Sequence, residues 1–359
     1  MSRAALLLMA LGGCGAESPV DPAGDGLRAG GSLASCAEVA FAELAIPCRV
    51  GVAAEAGKAG DIALAEEACA LVPDGLWREE CHFRAGEELG KAGYTDRALR
   101  FCARAGDFAR NCVTHAAWGL PPEPGLSPAD PSRALAALDE QLNIYTAGLN
   151  GAAPGVQGEG VDILLSRAWF NLYVGSGSAD PAAARGAEGE HGPHARTAWA
   201  LEFVRLANLP PDQAVEAALA VWRGESPVPT GAALPPGPKV GRHTSPIVAE
   251  GVRAQRHAAT FGGGVRLVGE SVEEDLTVAV IEALFFNEGT LPPAFVAYQD
   301  DPRLTVRLTA WKLWGLTAPP EAVLAAITAA TDPLIAETLR LAEGKNMQGP
   351  KAGRRRDAR

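Results

Sequence analysis

Seven cysteines are the residues whose spacing points most clearly to chemistry. Six of them are Cys36, Cys48, Cys69, Cys81, Cys102 and Cys112. Within this set, Cys36, Cys69 and Cys102 follow one another at intervals of 33 residues. An even number of cysteines in an exported chain indicates disulfides. The chain has no Cys-x-x-Cys pair, which argues against structural zinc or haem attachment. We therefore expect disulfides here, and neither a metal nor a cofactor.

The regular cysteine spacing belongs to an internal repeat. A shift of 33 residues aligns nine identities within 23 positions, including the block Gly-Lys-Ala-Gly at 57–60 and 90–93. Residues 61–71 and 76–89 have helical patterns on either side of a turn at 72–75. Since such a turn separates the two cysteines of each unit, we expect three hairpin staples, which are Cys36–Cys48, Cys69–Cys81 and Cys102–Cys112.

Two-helix units of this length resemble tetratricopeptide or Sel1-like repeats over about residues 33–118. The resemblance is carried by Gly60-Asp61-Ile62 with Ala65 and by Gly93-Tyr94 with Ala98, which are similar to the helix start Gly-Asp-Tyr-x-x-Ala of that family. The resemblance implies stacked helical hairpins that present an extended binding surface.

A second set of helices resembles HEAT repeats over about residues 270–343. The residues that carry it are Asp301-Pro302, Val306-Arg307, Ala310, Leu313 and Gly315. The resemblance implies that Asp301 and Arg307 join neighbouring units in a side-chain ladder, which is a structural role. Trp311 and Trp314 flank this helix; we expect them in the core between units, with a partner-binding anchor as the alternative.

The N-terminal residues have the pattern of a secretory signal. A basic start is followed by an apolar run at 4–11, too short to span a bilayer, and then by small residues before Cys14. Leu11-Gly12-Gly13-Cys14 resembles the bacterial lipobox, which implies cleavage before Cys14 and lipidation of that residue; an ordinary cleaved signal is the alternative. Gly15 in place of aspartate favours the outer membrane, on its periplasmic or surface side, if the cell has one.

Three further groups of residues have less specific patterns. His191 and His194, with Glu188 and Glu190, are interpreted as part of a solvated surface loop, with a metal site as the alternative. Phe261-Gly262-Gly263-Gly264 lacks the lysine and serine of a phosphate loop. The remaining cluster is a solvated helix face or a small anion site and comprises His243, His257, Arg242, Arg253 and Arg256.

Composition sets the fold class and excludes one class of partner. Aromatic residues make up only 6% of the chain, which favours closely packed helices. The net charge is −11, which argues against nucleic-acid binding. We expect an all-α fold, an α-solenoid of disulfide-stapled hairpins followed by a HEAT-like array. The expected organisation is a signal peptide at 1–13, a flexible tether at 14–31, stapled repeats at 32–120, a helical middle region at 121–223, a Pro/Gly-rich linker at 224–246, HEAT-like repeats at 247–343 and a basic disordered tail at 344–359.

The function that this organisation favours is a lipid-anchored scaffold that binds an envelope protein, with the membrane contacted through the anchor. One alternative is a hydrolase or lyase that acts on an envelope polymer, and another is a lipoprotein that binds a metal or small ligand. The chain contains no Gly-x-Ser-x-Gly and no His-Glu-x-x-His motif. Glu273, Glu274 and Asp275 are interpreted as acids favoured by a helix N-terminus. Catalysis is accordingly the less favoured hypothesis.

Overall fold

The computed structural model describes residues 32–117, 119–120, 125–233, 269–288 and 292–348. Within these ranges the chain is all-α, as its composition predicts, and the only extended pairing is an isolated bridge between Ser178 and Thr230. Among the described helices none is long and apolar enough to cross a membrane. Several expected features lie outside the described residues. They are the signal peptide at 1–13, Cys14 with its lipobox, the tether at 14–31, residues 234–246 of the linker, residues 247–268 of the HEAT-like region, the glycine run at 261–264, the cluster at 242–257 and the end of the tail at 349–359.

The first six helices form the disulfide-linked region. They are α1 (Leu33–Ala37), α2 (Ala42–Ala59), α3 (Ile62–Ala70), α4 (Leu76–Lys91), α5 (Thr95–Cys102) and α6 (Ala109–Ala117). The Asp61 side chain accepts a hydrogen bond from the Leu64 N–H and begins α3. Gly60, with a φ of 76°, ends α2 in the left-handed region. The second glycine of the repeated block is therefore a helix terminator.

The middle region continues the helical succession. Its helices are α7 (Pro131–Ala147), α8 (Pro154–Ser176), α9 (Ala182–Gly186), α10 (His191–Ala207) and α11 (Pro211–Arg223). Asp130 caps α7, since its side chain accepts a hydrogen bond from the Arg133 N–H and Pro131 occupies the first turn. The glycine-rich segment at 175–192 is expected to be a loop, but it contains α9 and the start of α10, so His191 and His194 lie on a helix.

The last four helices are α12 (Val272–Glu288), α13 (Leu304–Thr317), α14 (Pro320–Ala329) and α15 (Pro333–Gln348). A 3-10 helix (Pro293–Asp300) precedes α13. Asp301-Pro302 has the pattern of a helix cap followed by proline in the first turn, but α13 begins two residues later than this pattern predicts, at Leu304 with Arg303 as its N-cap residue. The Asp301 carboxylate accepts from the Arg303 N–H, which holds the connecting segment instead.

Eight helices of the chain pack against one another in a single succession. This row contains α2, α4, α6, α8, α10, α12, α13 and α15, and the other helices flank it. One buried cluster joins residues of the disulfide-linked region to α8. A second cluster extends from Leu120 to Leu313, so residues on both sides of the predicted linker share a core.

The first glycine of the repeated block sets how closely successive units approach. A Cβ atom on Gly57 of α2 would lie 2.7 Å from the Ala85 carbonyl oxygen of α4. One unit later, a Cβ on Gly90 of α4 would lie 2.5 Å from the Ala116 Cα of α6. The two contacts occupy equivalent positions of the repeat. The identical Gly-Lys-Ala-Gly blocks thus mark one packing geometry that is used twice.

Candidate binding groove and neighbouring polar clusters

Three buried disulfides fix the ends of the helical hairpins, of which the second and third contribute residues to the candidate site. They join Cys36 to Cys48, Cys69 to Cys81 and Cys102 to Cys112, and each connects two successive helices across a turn. All six side chains are less than 10% exposed. Removing loop-closure entropy from the unfolded chain stabilises each hairpin, a gain of roughly 3 kcal/mol for a loop of this length.

A groove of about 510 Å³ lies where the third hairpin meets α7. Helix α5 and the segment after it form one wall, and the end of α7 with its following turn forms the other. The lining residues are Glu66, Asp96, Arg100, Ala103, Arg104, Ile144, Ala147, Gly148, Asn150 and Gly151. The Cys102–Cys112 disulfide lies at the end of the α5 wall, so this wall is covalently fixed to α6.

Two arginines on the same wall of the groove differ in whether they form an ion pair. Arg104 forms an ion pair with Glu66 at 3.0 Å, and its guanidinium lies 5.0 Å from the centre of the Phe101 ring. Arg100 is exposed and forms no ion pair with any described residue. Opposite it, Ile144 is 53% exposed. The groove therefore offers a cationic donor for a carboxylate next to an apolar contact.

Gly148 brings the two walls together. A Cβ atom at this position would lie 2.9 Å from both the Asp96 carbonyl oxygen and the Leu99 Cβ. Any larger residue would push the end of α7 away from α5. A second cavity of about 330 Å³ shares Ala147 and Asn150 with the groove and continues towards Gln157 and Val161 of α8.

The two histidines considered as an alternative metal site are held by separate carboxylates. His191 Nε2 lies 3.2 Å from Asp139 Oδ1 of α7, and its Nδ1 accepts a hydrogen bond from Trp169 Nε1 at 3.2 Å. His194 Nε2 lies 3.4 Å from Asp162 Oδ1 of α8. No group of three or more metal-ligating side chains occurs in the described ranges. The pairs connect α10 to α7 and to α8, and Glu188 and Glu190 form no ion pair with either histidine.

Ser166 completes a hydrogen-bonded chain with one of these pairs. Its Oγ lies 2.8 Å from His194 Nδ1, so serine, imidazole and the Asp162 carboxylate are connected in series. Such a chain can exchange a proton between serine and histidine. Acyl transfer also needs N–H donors for a developing oxyanion. Ser166 and Asp162 both lie within α8, where successive N–H groups bond to carbonyls of the same helix.

The first-turn acids of α12 are more deeply embedded than the sequence indicates. Asp275 is 1% exposed, and Arg196 of α10 donates to its carboxylate. Glu274 is 6% exposed and accepts from the Thr305 hydroxyl of α13. Exposed Glu273 pairs with Arg223 at 3.1 Å. These acids join α12 to three other helices.

The HEAT-like ladder has a different set of partners from those that the resemblance implies. Arg307 donates to the Asp301 carbonyl oxygen at 2.9 Å and lies 3.7 Å from the Asp332 carboxylate in front of α15. The Asp301 carboxylate is bound by Arg303, whose hydrogen bond lowers the pKa of this carboxyl. Trp311 and Trp314 pack edge to face at 5.5 Å against a small cluster with α14 and α15.

Sequence reasoning missed the groove residues and the buried acids, since neither set forms a local motif. The only signal for the groove is the four-residue spacing of Arg100, on α5, and Arg104, just after the end of that helix. Comparison of the chain with models of known protein families, with curated proteins and with solved structures gave no match.

Proposed function

We propose that this chain is an exported, lipid-anchored helical-repeat scaffold that binds a protein of the bacterial envelope. The observation that carries the proposal is the groove between α5 and α7, in which Arg100 and Ile144 face solvent between walls fixed by a disulfide and by the Gly148 contact. Rigid stacked hairpins suit recognition of an extended segment. Anchoring through Cys14 would raise the local concentration of the scaffold at the membrane.

The groove chemistry suggests the part of the partner that binds. A segment with a carboxylate group can pair with Arg100, because that guanidinium has no ionic partner among the described residues. An apolar side chain on the same segment can cover Ile144, which is half exposed. The paired Arg104 and Glu66 then form the polar edge of the interface.

The test is crosslinking of the full-length protein in cells, followed by purification and identification of the captured proteins. We expect one specific envelope protein, with its recovery reduced at least fivefold by Arg100→Glu or Ile144→Glu. Leu324→Glu is the matched control, because Leu324 is 51% exposed on α14, away from the groove. Equal recovery from the groove variants and the control would overturn the binding site. Absence of any specific protein would overturn the scaffold function.

A further inference from the structure

The turns of the first two hairpins carry an apolar surface that the groove does not use. It consists of Phe41, Leu44, Leu71, Leu76 and Trp77, here called the turn edge, and these side chains are between 40% and 66% exposed. Phe41 and Leu44 lie at the start of α2, and the other three lie between α3 and the first turn of α4. We propose that the turn edge docks onto the lipid bilayer to which the chain is anchored.

The turn edge is a fixed surface. Arg49 of α2 donates to the Leu71 carbonyl oxygen at 2.7 Å and thereby ties the second turn to the first hairpin. Arg78 donates to the Val72 carbonyl oxygen at 2.7 Å within the same turn. The disulfides Cys36–Cys48 and Cys69–Cys81 close both hairpins behind the turns. The exposed side chains therefore project from braced turns.

The repeat explains why the apolar residues share one edge. Leu44 and Trp77 each lie four residues before the second cysteine of their unit, and Phe108 occupies the equivalent position of the third unit. Phe108 is only partly exposed, with its ring 5.8 Å from that of Phe83. The first two units thus expose the residues that the third unit packs inward.

The position of the anchor indicates that the turn edge contacts the lipid bilayer. This inference rests on the proposed lipidation of Cys14. Only residues 15–31 separate Cys14 from Ser32, and a chain of this length spans at most about 60 Å. Five-residue α1 then leads from Ser32 to the turn that contains Phe41. The first hairpin, which carries Phe41 and Leu44 of the turn edge, is thus the part of the described fold that follows the anchor most closely.

Chemistry at the turn edge favours insertion of apolar side chains over attraction by charge. Tryptophan, phenylalanine and leucine are the side chains that enter the boundary between headgroups and acyl chains. Arg78 pairs with Asp74, whereas Glu38 and Glu43 are exposed. An edge with exposed acids is not attracted to anionic lipid, so we expect it to contact zwitterionic lipid.

The test places the photo-crosslinker p-benzoylphenylalanine at position 77 of the full-length protein in bacterial membranes. Position 324, which is exposed on α14, carries the control probe. After irradiation, mass spectrometry should detect at least tenfold more phospholipid adducts at position 77 than at position 324. Equal lipid adducts at the two positions, no lipid adducts, or adducts to a protein at position 77 would overturn the docking.

A second measurement separates the docking from the anchoring and from misfolding. With the probe at position 44, Leu76→Glu combined with Trp77→Glu should lower lipid adducts at least fivefold, whereas Leu324→Glu with Leu334→Glu should not. Unchanged adducts in the first variant would contradict the inference. Retention of the three disulfides checks the fold. Absence of acyl chains on Cys14 would overturn the anchoring itself, whereas acylated protein without adducts overturns only the docking.

Discussion

At the scale of single residues, His82 is a buried histidine that the fold keeps neutral. Its side chain lies on α4, is 8% exposed and is 5.9 Å from the Phe101 ring, and its Nδ1 has no hydrogen-bond partner among the described residues. Burial, then the nearby charges of Arg104 and Arg78, lower the pKa of His82 from 6.5 to about 4, against a smaller opposing effect of Glu66. Protonation of this ring is therefore linked to unfolding.

We expect His82→Phe to remove part of the acid sensitivity of the protein. Because the pKa of folded His82 lies below its unfolded value, its contribution is fully present above pH 6.5 and is lost as the pH falls towards 4. The loss is on the order of 3 kcal/mol. Urea unfolding at several pH values measures it, and the slope between pH 6.5 and 4.5 should be smaller in the variant. Parallel profiles would contradict the assignment. The pKa of Glu87 is lowered to about 2, so this carboxylate stays charged throughout that range.

The cysteines and the histidines differ in how far their partners can be predicted from the sequence. The six repeated cysteines are informative because each unit contains its own pair, so the partner lies close in sequence. His191 and His194 instead bind carboxylates that lie on α7 and α8. No local pattern records such distant pairs. The same reason hides Arg100 and Ile144, which only tertiary packing brings into one groove.

At the scale of helices, the close approach of successive units depends on glycine. We expect Gly90→Ala to destabilise the protein by roughly 1–3 kcal/mol, since the added methyl group meets the backbone of α6 at Ala116. Gly158→Ala in α8 is the matched control, because a Cβ there has no heavy atom within 4 Å. This control should gain roughly 0.5–1 kcal/mol through helix propensity. Denaturant unfolding of both variants measures the difference, and equal effects would show that the approach is not limiting.

The second hairpin provides a test of the staples. Replacement of both Cys69 and Cys81 by alanine opens a loop with a sequence separation of 12 residues. We expect a loss of roughly 3 kcal/mol in the free energy of unfolding, because the unfolded chain regains conformational freedom. Thermal and urea unfolding under oxidising conditions measure this loss. A double variant with unchanged stability would contradict the prediction.

Helix boundaries follow local sequence where caps and turns are strong. The expected helix at 76–89 is observed as Leu76–Lys91, and the expected one at 61–71 as Ile62–Ala70. The short helix Ala182–Gly186 was missed because tertiary hydrogen bonds hold it. The Ala183 N–H donates to the Pro128 carbonyl oxygen, and the Ala184 N–H donates to the Tyr173 hydroxyl. A glycine-rich sequence gives no sign of such partners.

At the scale of the whole molecule, one buried ion pair connects parts of the chain that are distant in sequence. Arg196 of α10 and Asp275 of α12 are 14% and 1% exposed and are separated by 79 residues. Both helices also contribute to one buried cluster. The middle region and the C-terminal helices therefore share a core and an ionic contact, and we expect them to unfold in one transition.

Arg196→Met tests this coupling. The variant deprives a buried carboxylate of its guanidinium, and we expect a loss of roughly 3–5 kcal/mol in the free energy of unfolding. Arg223→Met is the control, since its pair with Glu273 joins α11 to the same helix but is solvent exposed, at 40% and 55%. Water and salt screen such a pair, so the control should change stability far less.

Urea unfolding followed by both far-ultraviolet circular dichroism and tryptophan fluorescence measures the loss of stability and the cooperativity of unfolding. Because the shared core remains in both variants, the two probes should still report a single transition. Separate transitions in Arg196→Met would show that the ion pair, and not the apolar core, holds the two parts together. Equal losses in the two variants would show that burial of Asp275 contributes nothing to the coupling.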